Sequence, residues 1–265
     1  MTTPRPTQPE DEAHGGVHGI LKLHFRVRSY EVGQDGRLSP VSLGHYLQEA
    51  ASRHAHDLGF GIVDLARQGC YWVLTHLALN VIQRPPAASR VVVATWPTPV
   101  VRLSAGRQFS VGTDGGRPVA QAASAWMILD KRRRRPVRAS QILARIPQRP
   151  ENPDCPVFSG KLPALESAAH ERALKVRQRD LDVNRHVNNV AYLEWLLESV
   201  PANLYHTHEL SGLKINYLAE SLAGDTILCR CTRQSTAPLD FLHSLARGAD
   251  GQELVRAQTR WRPRD

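Results

Sequence analysis

Two stretches 149 residues apart, VSLGHYLQEA (41–50) and VAYLEWLLES (190–199), keep apolar positions and a glutamate in register. The same order of signals surrounds each. LKLHFRVRSY (21–30) alternates, with Leu21, Leu23, Phe25 and Val27 on one side and Lys22, His24, Arg26 and Arg28 on the other, the period of a half-buried strand. A helix follows: Ser39 can cap it, Pro40 suits its first position, and Leu43, Leu47, Ala50, Ala51 and His54 share a face. YWVLTHLALNVIQ (71–83), SRVVVATWPT (89–98), VRLSAGRQFSVGT (101–113) and PVAQAASAWMILD (118–130) then predict strands, broken by Gly and Pro. In the second copy ALKVRQRDLDV leads into the helix NNVAYLEWLLESV; GLKINYLAE, DTILCRCTRQ, DFLHSLARG and QELVRAQTRWR follow, with GADG as a hairpin turn before the last.

A helix with one apolar stripe and a sheet with one apolar face bury each other. The repetition therefore predicts an α+β chain of two tandem units, each a long helix wrapped by an antiparallel sheet, packed together as a pseudo-dimer. Residues 18–146 and 168–265 are the expected units, joined by a proline-rich linker over 147–167. The Pro-, Gly- and acid-rich tail 1–17 is expected to be disordered.

No apolar run reaches the length of a membrane span, and the N-terminus has no apolar signal core, so a cytoplasmic protein that does not engage membranes is expected. The cysteines Cys70, Cys155, Cys229 and Cys231 lack metal-ligand spacing and read as reduced thiols, the last two on one side of a strand. A net charge of +9 favours an acidic partner. The densest run, DKRRRRPVR (130–138), follows a strand and suits a solvated turn or a protein-docking patch; without interleaved aromatics, no nucleic-acid partner is expected.

The segment RDLDVNRHVNNV (179–190) places acids, amides and an imidazole directly before the second helix. If extended, it turns Asp182, Asn184 and His186 to one side and Val183, Arg185 and Val187 to the other. Asn188 or Asn189 then caps the helix, leaving first-turn amides for an anion. A carboxylate or imidazole beside free N–H donors suits hydrolysis of an acyl ester or thioester. Plain capping would need only one such residue. A metal site would want a second His or Cys at ligand spacing, so no metal is expected.

DLDVNRHVNNVAYLEWLLESVP (180–201) resembles the C-terminal motif of the acyl-acyl carrier protein thioesterases, and RSYEVGQDGRLSPVSLGHYLQEAASRHA (28–55) and VLTHLALNVIQRPP (73–86) resemble that family's N-terminal half. The resemblance implies two tandem hot-dog domains and release of free fatty acid from acyl carrier protein, an acidic protein substrate, without cofactor. It places the family's catalytic residues on Asp182, Asn184, His186 and Glu220, and the acyl tail in the N-terminal half. Leu47, Trp72 and Leu74 are candidate lining residues at positions that suit plain core equally well. The cysteine of the family pattern is replaced by Ser221, which favours carboxylate chemistry: Asp182 or Glu220 as base or nucleophile, His186 orienting it, and Asn184 holding thioester or water. An acyl-CoA thioesterase of the same fold and a non-catalytic acyl-binding protein are the alternatives. Each methylene buried contributes about 0.8 kcal/mol, so two carbons change binding roughly fifteen-fold, and pocket depth would set chain length. A homodimer is compatible with the sequence.

Overall fold

A computed structural model describes residues 14–15, 19–157 and 160–264. In chain order its elements are β1 (His14–Gly15), β2 (Leu21–Arg26), α1 (Pro40–Asp57), α2 (Ile62–Arg67), β3 (Cys70–Val81), β4 (Arg90–Pro97), β5 (Ala105–Thr113), β6 (Pro118–Asp130), β7 (Arg135–Val137) and α3 (Ala139–Ile142). Then come β8 (His170–Lys175), α4 (Asn189–Glu198), α5 (Leu204–Thr207), β9 (His208–Tyr217), β10 (Thr226–Thr236), β11 (Leu239–Arg247) and β12 (Glu253–Pro263). The tail 1–17 lies outside the described residues except for His14–Gly15, which pair with Lys22 and Leu21.

All pairings are antiparallel, and the sheet runs β1-β2-β4-β5-β6-β3-β9-β12-β11-β10-β8, with β7 against β6. The sequence repeat is thus an architectural one: β2-β4-β5-β6-β3 and β8-β10-β11-β12-β9 are the same series. They meet at the β3–β9 seam, where His76 faces Asn216 and Asn80 faces Gly212, so one continuous sheet carries both halves.

The alternation foreseen for β2 is realised, with Leu21, Leu23 and Phe25 buried. In α1, Ser39 caps the helix by accepting the Ser42 amide at 3.0 Å, and Leu43, Leu47, Ala50, Ala51 and His54 form its buried face. An α1 side chain at Gly44 would meet Leu193 Cδ2 at 3.0 Å, so this glycine lets α1 and α4 cross closely. α4 is buried nearly all round, through Val190, Ala191, Tyr192, Leu193, Trp195, Leu196 and Leu197, which suits a helix at the molecular centre. One apolar core spans both halves. A smaller cluster of Leu65, Cys70, Ala105, Ile128, Ala139 and Leu143 underlies the first. All four cysteines are buried and unpaired. Among the described residues, no helix is long and apolar enough to cross a membrane.

The repeat extends to single hydrogen bonds. Gly33 N donates to Arg37 O at 2.9 Å and Asp182 N to His186 O at 2.8 Å; Ser39 N donates to Glu31 O at 2.9 Å and Asn188 N to Asp180 O at 2.8 Å. Gly36 and Arg185 hold the same left-handed position, at φ 68° and 64°. Leu38 N reaches Pro85 O and Val187 N reaches Ser221 O, so the loops after β3 and β9 correspond too, Arg84 matching Glu220.

Candidate active site

The segment ahead of α4 is a tight turn, not the extended stretch that side-chain alternation suggested. Leu181 bridges Val187 across it, and Arg185 N donates to Asp182 O at 3.0 Å. The cause is local. Asp182 Oδ1 accepts the amides of Asn184 at 2.8 Å and His186 at 3.1 Å, and this side-chain capture of two backbone donors outcompetes extension. The turn is anchored at its base by Asp180, which is buried and bonded by Arg177 Nε at 3.1 Å and Nη2 at 3.0 Å. Burial pushes the Asp180 carboxyl up, but the Arg177 hydrogen bonds outweigh it and hold the group below the usual carboxylate range.

The turn sorts the four predicted catalytic residues into two pairs. Asp182 and Asn184 line a cavity of about 380 Å³. His186 and Glu220 are not among its lining residues; they pair with each other, Nε2 to Oε2 at 3.5 Å, both partly exposed. A bridge between His186 and Leu222 and the bond from Val187 N to Ser221 O tie the two loops together. The Glu220 carbonyl accepts from Arg247 Nη2 at 2.8 Å.

At the start of α4, Asn188 is the cap: its Oδ1 accepts the Val190 amide at 2.9 Å, and its carbonyl accepts Ala191 N. Two first-turn donors are therefore already used, fewer than expected being left for an oxyanion. The Asn189 amide remains on offer beside the cavity, which both asparagines line.

The cavity is built across the halves. Its turn wall comes from residues 181–184 and Asn188–Asn189; its apolar walls come from Phe60, Ile62, Trp72, Val100, Trp126 and Ile146 of the first half. Of the expected lining residues Trp72 is present, with Nε1 donating to the Phe60 carbonyl at 2.9 Å. Leu47 and Leu74 instead flank a neighbouring void of about 30 Å³ under α4. Arg107 also lines the cavity, missed in the sequence because it lies in an ordinary strand pattern. It bonds His54 Nδ1 at 3.0 Å and Thr95 Oγ1 at 3.1 Å. Burial lowers its pKa to about 10. His54 is pushed down to about 4, first by burial and then by the Arg107 charge, so it is a neutral acceptor.

Ser221 is fully buried and held by Tyr192, Oγ to Oη at 2.9 Å and N to Oη at 3.1 Å. Burial leads in raising the Tyr192 hydroxyl to about 12, so this pair is a neutral clamp, and Ser221 is not among the residues that line the cavity. Among the described residues, no three His, Cys, Asp or Glu side chains converge as metal ligands.

Family models described as the acyl-ACP thioesterase N-terminal domain and the acyl-ACP thioesterase C-terminal domain match residues 20–145 and 164–263. The chain is 31% identical to a chloroplastic palmitoyl-acyl carrier protein thioesterase of Gossypium hirsutum, over 92% of its own length and 64% of the cotton protein's. It is 30% identical to oleoyl-acyl carrier protein thioesterase 1 of Arabidopsis thaliana, over 91% of its length and 75% of that protein's. Among solved structures, an acyl-ACP thioesterase from Bacteroides thetaiotaomicron superposes with a TM-score of 0.81 at 28% identity, covering 92% of this chain and 98% of that one. A 12:0-ACP thioesterase from Umbellularia californica gives 0.83 at 28% identity, covering 94% and 100%.

Proposed function

The chain belongs to the acyl-ACP thioesterase family, and from that premise we propose that it hydrolyses acyl-acyl carrier protein to free fatty acid and carrier thiol. The observation that carries this reading is the cross-half cavity: apolar walls from one half end at Asp182 and Asn184 of the other. An acyl chain enters the apolar part, and its thioester carbon stops at the turn.

The roles follow from placement. Asp182 is the carboxylate that meets the thioester: Oδ1 is fixed by two amides, which aims the group without neutralising it. Asn184 and the Asn189 amide hold the thioester oxygen, where each donor is typically worth on the order of 10² to 10³ in rate. His186 and Glu220, paired at the adjoining loop, orient the incoming water and pass on its proton. Water adds its oxygen to the carbonyl carbon, the C–S bond breaks, and the proton ends on the departing thiolate.

The test is turnover of a panel of acyl carrier proteins bearing different chains, with the released acids identified. Free acid and stoichiometric thiol are expected; tight binding without release would sink the reading, and equal efficiency on acyl-CoA would move the substrate. A single turnover in ¹⁸O-water that leaves label in the protein carboxylate assigns direct attack by Asp182, through an anhydride that water opens at the aspartyl carbonyl; activation of water labels only the released acid.

A further inference from the structure

The turn between β6 and β7 carries Lys131, Arg132, Arg133 and Arg134, with Arg135 and Arg138 just beyond, all exposed. Outside this turn, more than half of the described arginines have an acid within ion-pair distance, among them Arg172 with Glu198, Arg230 with Glu171, Arg260 with Asp240, Arg262 with Glu209 and Arg247 with Asp250. Among the described residues, none of the six cations of the turn has a carboxylate within ion-pair distance. The nearest acid, Asp130, spends Oδ1 on the amides of Arg132 and Arg133, at 2.9 and 2.8 Å. Those bonds, with Arg134 N to Asp130 O and Lys131 N to Gly69 O, both at 2.8 Å, pin the backbone and hold the charges outward on a rigid base.

The location matters as much as the charge. β6 pairs with β3 so that Asp130 faces Cys70 and Leu129 faces Tyr71, and Tyr71 lines the cavity. Burial is the first cause raising the Tyr71 hydroxyl, Glu220 the second, and Arg134 opposes them, so this one ring feels both the candidate site and the basic turn. Downstream of the turn, Leu143, Ile146 and Gln148 return to line the same cavity. The unpaired cations are therefore bracketed on both sides by cavity wall.

Resting on the carrier-protein reading above, we propose that the 131–138 turn is the surface on which the acidic face of the carrier protein docks, rather than a site for the phosphate of its pantetheine arm. An unpaired, rigidly presented cation cluster beside the cavity wall speeds encounter and fixes orientation, leaving the bond-breaking step untouched.

The experiment uses the full chain with Arg132→Glu, Arg133→Glu and Arg135→Glu together; Arg134, at φ 51°, is left alone to spare the backbone. KM for acyl-acyl carrier protein is expected to rise about ten-fold or more with kcat unchanged, and KM for acyl-CoA to stay put. The wild-type KM should climb with ionic strength and the variant's should be flat, and the corresponding triple Lys variant should restore both. An unmoved KM for the carrier substrate overturns the proposal, as does an equal rise for acyl-CoA, which would assign the turn to the arm's phosphate. If the charge-reversed protein misfolds, Arg132→Gln with Arg133→Gln is read by the same salt slope. Should the wild type turn over no acyl-carrier substrate, the function fails but docking is still decided, by titrating carrier protein against wild type and variant.

Discussion

The loops 31–39 and 180–188 follow one backbone path and carry opposite chemistry. Where the second has Asp182, Asn184 and His186, the first has Gly33, Asp35 and Arg37; where the second draws on Glu220, the first draws on Arg84. In the first loop the carboxylates are consumed, and Arg37 spends Nη1 on the Arg84 carbonyl at 3.0 Å. Arg84, side chain 6% exposed, bonds Asp35 and also reaches Glu209 at 3.1 Å, while Arg264 holds Asp35 at 2.7 Å and Arg262 holds Glu209 at 2.6 Å. Glu209, Arg262 and Arg264 come from the other half, so this loop became a clasp between halves. In the second loop the acid, amide and imidazole stay half-exposed beside a cavity and a helix end. Duplicated geometry thus supplies a scaffold, and side-chain partners decide whether it binds the molecule together or faces a substrate.

The largest effect that would break this contrast belongs to Asp182→Asn. Asparagine keeps the Oδ1 acceptor that shapes the turn, so folding should persist while kcat falls about 10² to 10⁴-fold, as expected for a lost placed base; activity near wild type would deprive the second loop of its assigned role. Next is Arg84→Met, which leaves Asp35 and Glu209 partly paired in a poorly solvated place. A stability loss of about 2 to 3 kcal/mol by chemical denaturation, with kcat intact, is expected.

Acid titration sharpens the same comparison. Asp35 is pushed up by burial, but Arg84, the Arg37 amide and Arg264 together hold it down, to about 2, so its contribution is whole above about pH 3.8 and lost as pH falls toward 2. That limb should shrink in Arg84→Met. A separate, earlier limb comes from His54 and His243, the latter lowered to about 3 by burial between Ser199 and Thr259. Because both are depressed from 6.5, the unfolded chain takes up these protons first. Stability is whole above pH 6.5 and falls by about 1.4 kcal/mol per pH unit per histidine on the way down to their folded values. This limb should be unchanged in Arg84→Met. The smallest change in activity is expected for Ser221→Ala: loss of a buried hydrogen bond to Tyr192 costs about 1 to 2 kcal/mol of stability, and kcat stays within about two-fold. A collapse of kcat there would return the serine to the chemistry.

Much of the fold was legible because period and repetition are long-range averages: eighteen residues of α1 and the strict alternation of β2 outvote any single exception. The turn at 181–187 was not, because one carboxylate oxygen bonding two amides overrides alternation over so short a span. The helix α2, six residues long, offers too little periodicity to be seen. The cavity escaped for a different reason: Phe60, Val100 and Ile146 come from three irregular stretches whose convergence depends on packing. Nothing in the sequence marked Arg84, since its partners Asp35 and Glu209 lie far from it along the chain.

The β3–β9 seam has a consequence for biosynthesis. β3 is an interior strand only once β9 lies against it, and residues 82–207 must be made in between. Throughout that interval the nascent first half presents an unpaired strand flank, a template that another nascent chain can occupy. The joint that unites the finished molecule is therefore also the point at which an unfinished one is most open to aggregation.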